Sequence, residues 1–304
     1  MTILDGRKVS SEIKLQIIEE INILKKKIER VPGLSVVIVG ENKASKVYVK
    51  SKDKMASELG IKSNVIEFDE NISSVELIKK IKELNGNDEV NGVLVQLPLP
   101  KKFNTWEVLS NINPDKDVDC FLPTNLGMIL LNRATIFPCT PSGILKIFDY
   151  YNINVSGMNA CVVGRSFIVG KPIAAMLTNK NATVTICHSK TKNLAGHLKR
   201  ADLIVSAIGK PGFISEDMVK QGSILIDVGI NYISKKNDVY EYCDELQIKK
   251  FEKKGYAITG DIHKDAYKKS LYYTPVPGGV GPMTVTMLMY NTLQLFKKKQ
   301  GLLK

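Results

Sequence analysis

The stretch Cys161-Val162-Val163-Gly164-Arg165-Ser166-Phe167-Ile168-Val169-Gly170-Lys171-Pro172 decides the fold, because it reads as an apolar strand, a glycine turn and the start of a helix. Gly164 lets the chain turn sharply off the strand, and Gly170 lets backbone approach a ligand at the helix N-terminus. Pro172 fits a first helical turn, where no N–H bond is lost. Exposed N–H groups at such a helix start bind phosphate. The spacing is G-x-S-x-x-x-G rather than G-x-G-x-x-G, so a structural turn without a ligand also satisfies it. The following strand tilts the choice. NAD-binding units place a carboxylate on the ribose about 20 residues on, whereas strand 182–187 runs into His188-Ser189-Lys190-Thr191 with no acid. A carboxylate there would repel a 2′-phosphate, while hydroxyl and basic groups accept it. Arg165 is the natural bidentate partner. The pattern points to NADP.

Working outward, a second alternating series surrounds this loop: strand 160–163, helix 170–178, strand 182–187, helix 191–199, then strands 202–206 and 223–227. The first half alternates as well. An amphipathic helix from Arg7 to Glu29 is broken by Pro32-Gly33. Strand 34–39, a helix 43–59, strand 64–68, a helix 74–84 and strand 93–96 follow. Short strands between helices argue for largely parallel sheets with crossover helices. The segment Pro98–Pro141 carries prolines at 98, 100, 114, 123, 138 and 141 and reads as a long shaped loop, a kind of segment that is usually functional. After an apolar stretch, 271–276, comes the turn Pro277-Gly278-Gly279-Val280-Gly281-Pro282, which reads as a hinge or as a ligand-contacting backbone. A last helix over 283–298 then returns to the first domain. No repeat or low-complexity tract is present.

A chain of 304 residues suits two domains, and 44% hydrophobic with 24% charged residues is ordinary for a soluble globular protein. No apolar run reaches the roughly 18–20 residues of a membrane span, and the first residues show no signal or transit pattern. The five cysteines (120, 139, 161, 187 and 243) form no C-x-x-C pair and read as reduced thiols in a cytoplasm. His188, His197 and His263 lack metal-ligand spacing, so no metal is expected. The net charge of +12 comes from scattered lysines without interleaved aromatics. That argues for a solvated surface, or for attraction of small anions to a basic cleft, rather than for a nucleic-acid partner.

One lysine is out of place. On the helix 43–59, ended by Gly60, the residues Ala44, Tyr48, Lys52, Met55 and Leu59 share one arc, with Lys46, Lys50, Asp53, Lys54 and Ser57 opposite. A cation among apolar neighbours has its pKa drawn down toward the range of a usable base. A snorkelling lysine, stem packed and ammonium in water, reads the same pattern differently.

Taken together, these runs resemble the bifunctional methylenetetrahydrofolate dehydrogenase/cyclohydrolase family over nearly the whole chain. Ser45-x-x-Tyr48-Val49-x-x-Lys52-x-Lys54 resembles its catalytic helix. Gly92-Val93-Leu94-Val95-Gln96-Leu97-Pro98-Leu99-Pro100 and Lys116-Asp117-Val118-Asp119 resemble its folate-site strand and loop. Pro138-Cys139-Thr140-Pro141-Ser142-Gly143 and Pro275-Val276-Pro277-Gly278-Gly279-Val280-Gly281-Pro282-Met283-Thr284 are its most specific runs. Val163-Gly164-Arg165-Ser166 and Asp227-Val228-Gly229-Ile230-Asn231 resemble its cofactor domain. Three positions depart from the pattern: Cys120 in place of a glycine, Leu122 in place of histidine, and His263 in place of an acid.

The resemblance implies an α/β fold of two domains. A folate-binding catalytic domain spans 1–142 plus 280–304, and a Rossmann-like NADP-binding domain with a parallel sheet spans 143–279, with an active-site cleft between them. It implies oxidation of 5,10-methylenetetrahydrofolate by NADP⁺ and hydrolysis of the methenyl product to 10-formyltetrahydrofolate, in a cytoplasmic homodimer. Lys52 is then the base for water addition and Gln96 its uncharged partner. Tyr48 packs and orients the folate, and Asp119 accepts from the pterin, unless it merely caps its loop. Val95, Leu97, Pro98, Pro277, Gly278 and Gly279 complete the substrate site. Gly164, Arg165, Ser166, Gly170, His188, Ser189, Ile208, Gly209, Gly229 and Ile230 hold the cofactor.

Overall fold

A computed structural model describes residues 1–303. Lys304 and the side chains of Lys43 and Ala44 lie outside the described residues, and with them the expected place of Ala44 on its helix. In chain order the first elements are β1 (Thr2–Ile3), α1 (Gly6–Ile28), β2 (Gly33–Val39), α2 (Lys43–Glu58), β3 (Lys62–Phe68), α3 (Ser74–Gly86) and β4 (Gly92–Val95). Then come α4 (Thr105–Leu109), α5 (Pro123–Leu130), α6 (Cys139–Tyr150), β5 (Asn159–Val163), α7 (Gly170–Asn179), β6 (Thr183–Cys187), α8 (Leu194–Leu198) and β7 (Leu203–Ser206). The last are β8 (Ile224–Asp227), β9 (Asn231–Ile233), α9 (Lys236–Tyr242), α10 (Glu245–Lys254), β10 (Ala257–Thr259), β11 (Tyr272–Tyr273) and α11 (Val280–Lys299).

Two compact units result. One comprises Ser11–Cys139 with Val285–Lys304, the other Met1–Ser10 with Thr140–Thr284. In the first, β3, β2 and β4 form a parallel sheet, in register from Gly33↔Lys62 to Val39↔Phe68 and from Leu34↔Gly92 to Val37↔Val95. All seven residues of β2 are buried, as expected of a central parallel strand whose two faces are covered. On one side Leu77, Ile81 and Leu84 of α3 pack with Val37, Val39, Val93 and Val95. The helix start is set by Ser73 and Glu76, which satisfy each other's backbone N–H groups in a capping box.

The second unit carries a six-stranded parallel sheet in the order β1-β11-β8-β7-β5-β6. Its inner strands β5, β7 and β8 are short, mostly apolar and almost wholly buried runs, the composition that marked them as strands. The chain order doubles back at β5, the geometry that opens a crevice at the carboxyl ends of the strands.

Three features differ from expectation. Residues 1–10 pack with the second unit and not with the rest of 1–142, because Thr2 and Ile3 pair with Tyr272 and Tyr273 as an edge strand too short to leave a pattern. The segment 98–141 is not one loop. It contains α4, a 3-10 turn at Pro114–Lys116 and α5, with Pro114 and Pro123 in first helical turns, where proline starts a helix instead of breaking one. The helix expected over 191–199 is reduced to Leu194–Leu198, because Asn193 takes a left-handed conformation (φ +50°) and caps it through Gly196 N. The antiparallel pair β9–β10 and helices α9 and α10 were not expected, although Asp244 and Gln247 form a capping box at the start of α10 and Gly255 ends it in a left-handed conformation.

Candidate functional site

Lys52 sits on the core side of α2. The residues that α2 buries are Ser45, Val49, Ala56 and Leu59, at i, i+4, i+11 and i+14, and position 52 completes that stripe. The stripe is turned by about 60° from the expected arc. Val49 and Ala56 have no side-chain polar atom to satisfy and take the core side, while Tyr48 is 37% exposed. Lys52 is half-buried, and its Nζ donates to Gln96 Oε1 at 2.9 Å. Gln96 follows β4 directly, its own N–H continuing the ladder to Val37 O, and its Nε2 donates to Leu97 O at 2.7 Å. The amide therefore presents its oxygen to the amine. The Leu97–Pro98 peptide is cis, Leu97 is partly buried and Pro98 exposed. The side chain of Val95 is 3% exposed and belongs to the core, which leaves its backbone to meet a ligand.

The two acids of the loop after Lys116 have separate tasks. Asp117 organises it, with Oδ1 accepting from Phe121 N (3.1 Å) and Oδ2 from Leu122 N and Asn125 Nδ2 (2.9 Å each). Burial pushes its carboxyl up, and these donors oppose the shift. Asp119 is thereby relieved of capping duty. Among the described residues, its side chain receives one hydrogen bond, a weak one from the Cys139 thiol at 3.6 Å. Burial raises its pKa to about 6, against the pull of the Lys52 ammonium, while the Asp117 charge pushes it further up. A carboxylate with unused lone pairs beside a lysine and an amide is equipped to bind a ligand bearing several N–H groups. Cys139 is buried behind it, its thiol pushed well up by burial, and Asn291 of α11 locks this corner by donating to Val118 O (2.9 Å) and Phe137 O (2.8 Å).

The departing residues fit their places. Cys120 adopts φ +58°, the left-handed geometry that a glycine takes without strain, and its thiol donates to Ile136 O at 3.5 Å. Leu122 joins the core of its unit. The His263 ring meets Tyr242 edge-on, with 5.9 Å between centroids.

In the second unit, Gly164 has φ +126°, and a Cβ there would lie 2.5 Å from Ala207 O. A Cβ on Gly170 would lie 2.3 Å from Gly164 O, so both glycines are required by close backbone approach. Ser166 organises this turn. Its Oγ accepts from Val169 N (3.1 Å) and Gly170 N (3.3 Å), and its carbonyl accepts from Lys171 N, so the first N–H groups of α7 are already satisfied within the chain. The arginine beside it, Arg165, is exposed. After β6, His188 N donates to Thr191 Oγ1 (2.8 Å) and Lys190 N to His188 Nδ1 (3.1 Å), a turn that leaves Ser189 and Lys190 exposed. Ile208 and Gly209 form the turn after β7, Gly209 at φ +67°, and Gly229 and Ile230 follow β8, with Ile230 42% exposed. Pro277, exposed, and the buried Gly278 and Gly279 belong to this second unit, whereas Tyr48, Lys52, Gln96 and Asp119 belong to the first.

A buried pair of acids beneath these turns had no role in the sequence reading. Asp227 accepts from Gly229 N, Asp261 N, Ile262 N and the Tyr267 hydroxyl at 2.8–2.9 Å. Burial, with Asp261 adding to it, raises its pKa to about 7. Asp261 accepts from Ser206 Oγ, Ile208 N, Gly209 N, Lys210 N and Asn231 Nδ2 at 2.8–3.2 Å. Only a glycine fits beside each acid: a Cβ on Gly260 would lie 2.0 Å from Asp227 Oδ2, and one on Gly229 2.4 Å from Asp261 Oδ1. The glycines that flank these acids in sequence were the available signal. No group of acids, histidines and cysteines among the described residues could hold a metal ion.

Comparison with known proteins finds two domains of one family in succession along the chain. The catalytic-domain model of the tetrahydrofolate dehydrogenase/cyclohydrolase family matches residues 4–119, and its NAD(P)-binding-domain model matches residues 138–300. The bifunctional protein FolD of Sulfurihydrogenibium sp. (strain YO3AOP1) is 48% identical over 302 residues, which is 98% of this chain and 99% of that one. The crystal structure of the bifunctional methylenetetrahydrofolate dehydrogenase/cyclohydrolase FolD from Campylobacter jejuni is 43% identical, with a TM-score of 0.89 over 98% of this chain and 99% of that one. The Trypanosoma brucei dehydrogenase-cyclohydrolase, solved with NADP cofactor and inhibitor, is 36% identical, with a TM-score of 0.89 over 99% and 98% of the two chains.

Proposed function

The chain belongs to the tetrahydrofolate dehydrogenase/cyclohydrolase family, and from that premise we propose that it oxidises 5,10-methylenetetrahydrofolate with NADP⁺ and hydrolyses the methenyl product to 10-formyltetrahydrofolate. The observation that carries the reading is the Lys52–Gln96 hydrogen bond at 2.9 Å beside an Asp119 carboxylate that its own loop leaves available. Asp119 accepts from the amino and ring N–H groups of the pterin, holding the one-carbon unit in a fixed place. Tyr48 packs on the folate, and the backbone of Val95 together with Leu97 and Pro98 lines the same site. Pro277, Gly278 and Gly279 add backbone contacts. Lys52 takes a proton from the water that adds to the methenyl carbon, and Gln96 holds the amine or that water in line without adding charge. Collapse of the adduct opens the ring and leaves the formyl group on nitrogen.

The cofactor fits the second unit. The Gly164 and Gly170 positions, which a Cβ would fill, keep the turn tight against α7. Gly164 and Gly170 shape the turn for the pyrophosphate side, with Arg165 and Ser166 exposed on it, while Arg165, His188 and Ser189 receive the 2′-phosphate. Ile208, Gly209, Gly229 and Ile230 hold the nicotinamide side. When bound, NADP⁺ accepts the hydride. We assign folate chemistry to residues 1–142 with 280–304 and cofactor binding to 143–279, although residues 1–10, 140–142 and 280–284 pack with the latter. We place the enzyme in the cytoplasm as a homodimer without nucleic-acid or membrane partners. No helix among the described residues is long and apolar enough to cross a membrane.

The test is a coupled assay of the purified protein. Methylenetetrahydrofolate is supplied with NADP⁺ or NAD⁺, reduced nicotinamide is followed by absorbance, and the decay of methenyltetrahydrofolate is followed separately. NADP-linked reduction with accelerated methenyl decay is expected. Absence of NADP-linked reduction sinks the dehydrogenase assignment, and methenyl decay at the buffer rate sinks the cyclohydrolase assignment.

A further inference from the structure

The cofactor turns after β7 and β8 are far apart in sequence, yet one side chain ties them together. Asp261 Oδ2 accepts from Ser206 Oγ (3.2 Å), Ile208 N (2.8 Å) and Gly209 N (3.2 Å), and its Oδ1 accepts from Lys210 N (2.8 Å) and Asn231 Nδ2 (3.0 Å). Five donors converge on one fully buried carboxylate, from the turn 206–210 and from position 231 just beyond Gly229-Ile230. Three successive N–H groups aimed at one carboxylate fix the path of the turn, including Gly209 at φ +67°. Asp261 is itself held, because its backbone N–H, with those of Gly229 and Ile262, is spent on Asp227, and Asp227 is closed from the far side by the Tyr267 hydroxyl. Neither acid is exposed enough to touch a ligand.

We propose that Asp261, backed by Asp227, is a positioning residue for the nicotinamide end of the dinucleotide: it sets the two turns that carry Ile208, Gly209, Gly229 and Ile230. The inference rests on the proposed dehydrogenase activity and adds a residue to it. In a doubly wound sheet these turns lie on the half of the crevice away from the 2′-phosphate turn after β6. A fault in them affects NADP and NAD alike. It also leaves the cyclohydrolase reaction intact, since that chemistry needs no dinucleotide.

The experiment compares wild type, Asp261→Asn and Ser206→Ala. Asp261→Asn keeps the shape but turns one acceptor into a donor facing N–H groups. Ser206→Ala removes one donor at a position that is 0% exposed and cannot meet the cofactor. For Asp261→Asn, KM should rise at least about tenfold for NADP⁺ and by a similar factor for NAD⁺. KM for methylenetetrahydrofolate and the rate of methenyl hydrolysis should stay within about twofold of wild type. Ser206→Ala should raise both dinucleotide KM values by about threefold, again with hydrolysis unchanged. Dinucleotide KM values unchanged in both variants overturn the proposal, as does a parallel fall of both activities in Ser206→Ala. If Asp261→Asn does not fold, Ser206→Ala alone decides. Wild-type protein inactive with either dinucleotide would sink the proposed dehydrogenase activity, a failure visible before any variant is made.

Discussion

Asp119→Asn separates a ligand-binding carboxylate from a loop cap by making opposite forecasts for stability. Burial raises the folded-state pKa from 3.8 to about 6. Between those values the folded protein holds the proton more tightly than the unfolded chain, so Asp119 leaves stability intact below about pH 4 and lowers it as the pH climbs to about 6, after which the loss is constant. Two pKa units and a little more correspond to about 3 kcal/mol. Solvent that reaches the partly buried carboxylate screens some of this, so the asparagine variant should be about 1–3 kcal/mol more stable than wild type at pH 8. The gain should shrink to nothing near pH 4. The same change should weaken folate binding at least about tenfold, because paired charge-assisted hydrogen bonds are lost. Urea denaturation at pH 4, 6 and 8 reads the first forecast, and calorimetric titration with a folate reads the second. A variant that is less stable than wild type at pH 8 refutes the reasoning, for then Asp119 would be holding its loop, the task the structure gives to Asp117.

Three further outcomes follow from the geometry. Lys52→Met keeps an unbranched side chain of similar length but loses the amine that meets Gln96, and should lower methenyl hydrolysis about 100-fold or more with folate affinity largely kept; near-normal turnover would remove the base assignment. Arg165→Ala should raise KM for NADP⁺ about tenfold or more and barely change that for NAD⁺, a contrast with the equal effects forecast for Asp261→Asn; equal losses would remove the 2′-phosphate role. Gly260→Ala puts a Cβ 2.0 Å from Asp227 Oδ2, and the denaturation midpoint should fall by an amount equivalent to about 2–3 kcal/mol. Gly127→Ala is its control: it lies inside α5 with nothing within 4 Å of the added Cβ, and should gain about 0.5–1 kcal/mol.

Much of this is legible in the sequence. The Cys161–Pro172 run betrayed strand, turn and helix because each residue type there answers a local demand: apolar residues for a strand buried on both faces, glycines for backbone that passes within 2.3–2.5 Å of a Cβ position, proline for a first helical turn. Lys52 stood out for the same reason, since a helix period is local and a misplaced charge breaks it. The period was ambiguous about which neighbours share the face. Tyr48 and Val49 are both apolar enough to bury, and only packing against the sheet chose Val49. Prolines misled between residues 98 and 141, because the same residue that breaks a helix also begins one, and the choice depends on what lies before it.

The sequence by itself determined the chemistry on offer: a lysine on an apolar stripe, an amide after a strand, acids in a loop, a glycine turn followed by a strand end without a carboxylate. Tertiary structure alone decided which of those groups are committed and which are available. Asp117 and Asp119 are two residues apart and chemically identical. Yet among the described residues the fold turns three donors onto the first and leaves the second a single weak thiol. Asp261 gathers donors from positions 206 to 231, and Asp227 gathers them from 229 to 267. A hydrogen-bond partner is chosen by distance in space, and in parallel sheets with long crossovers that distance bears no simple relation to separation along the chain.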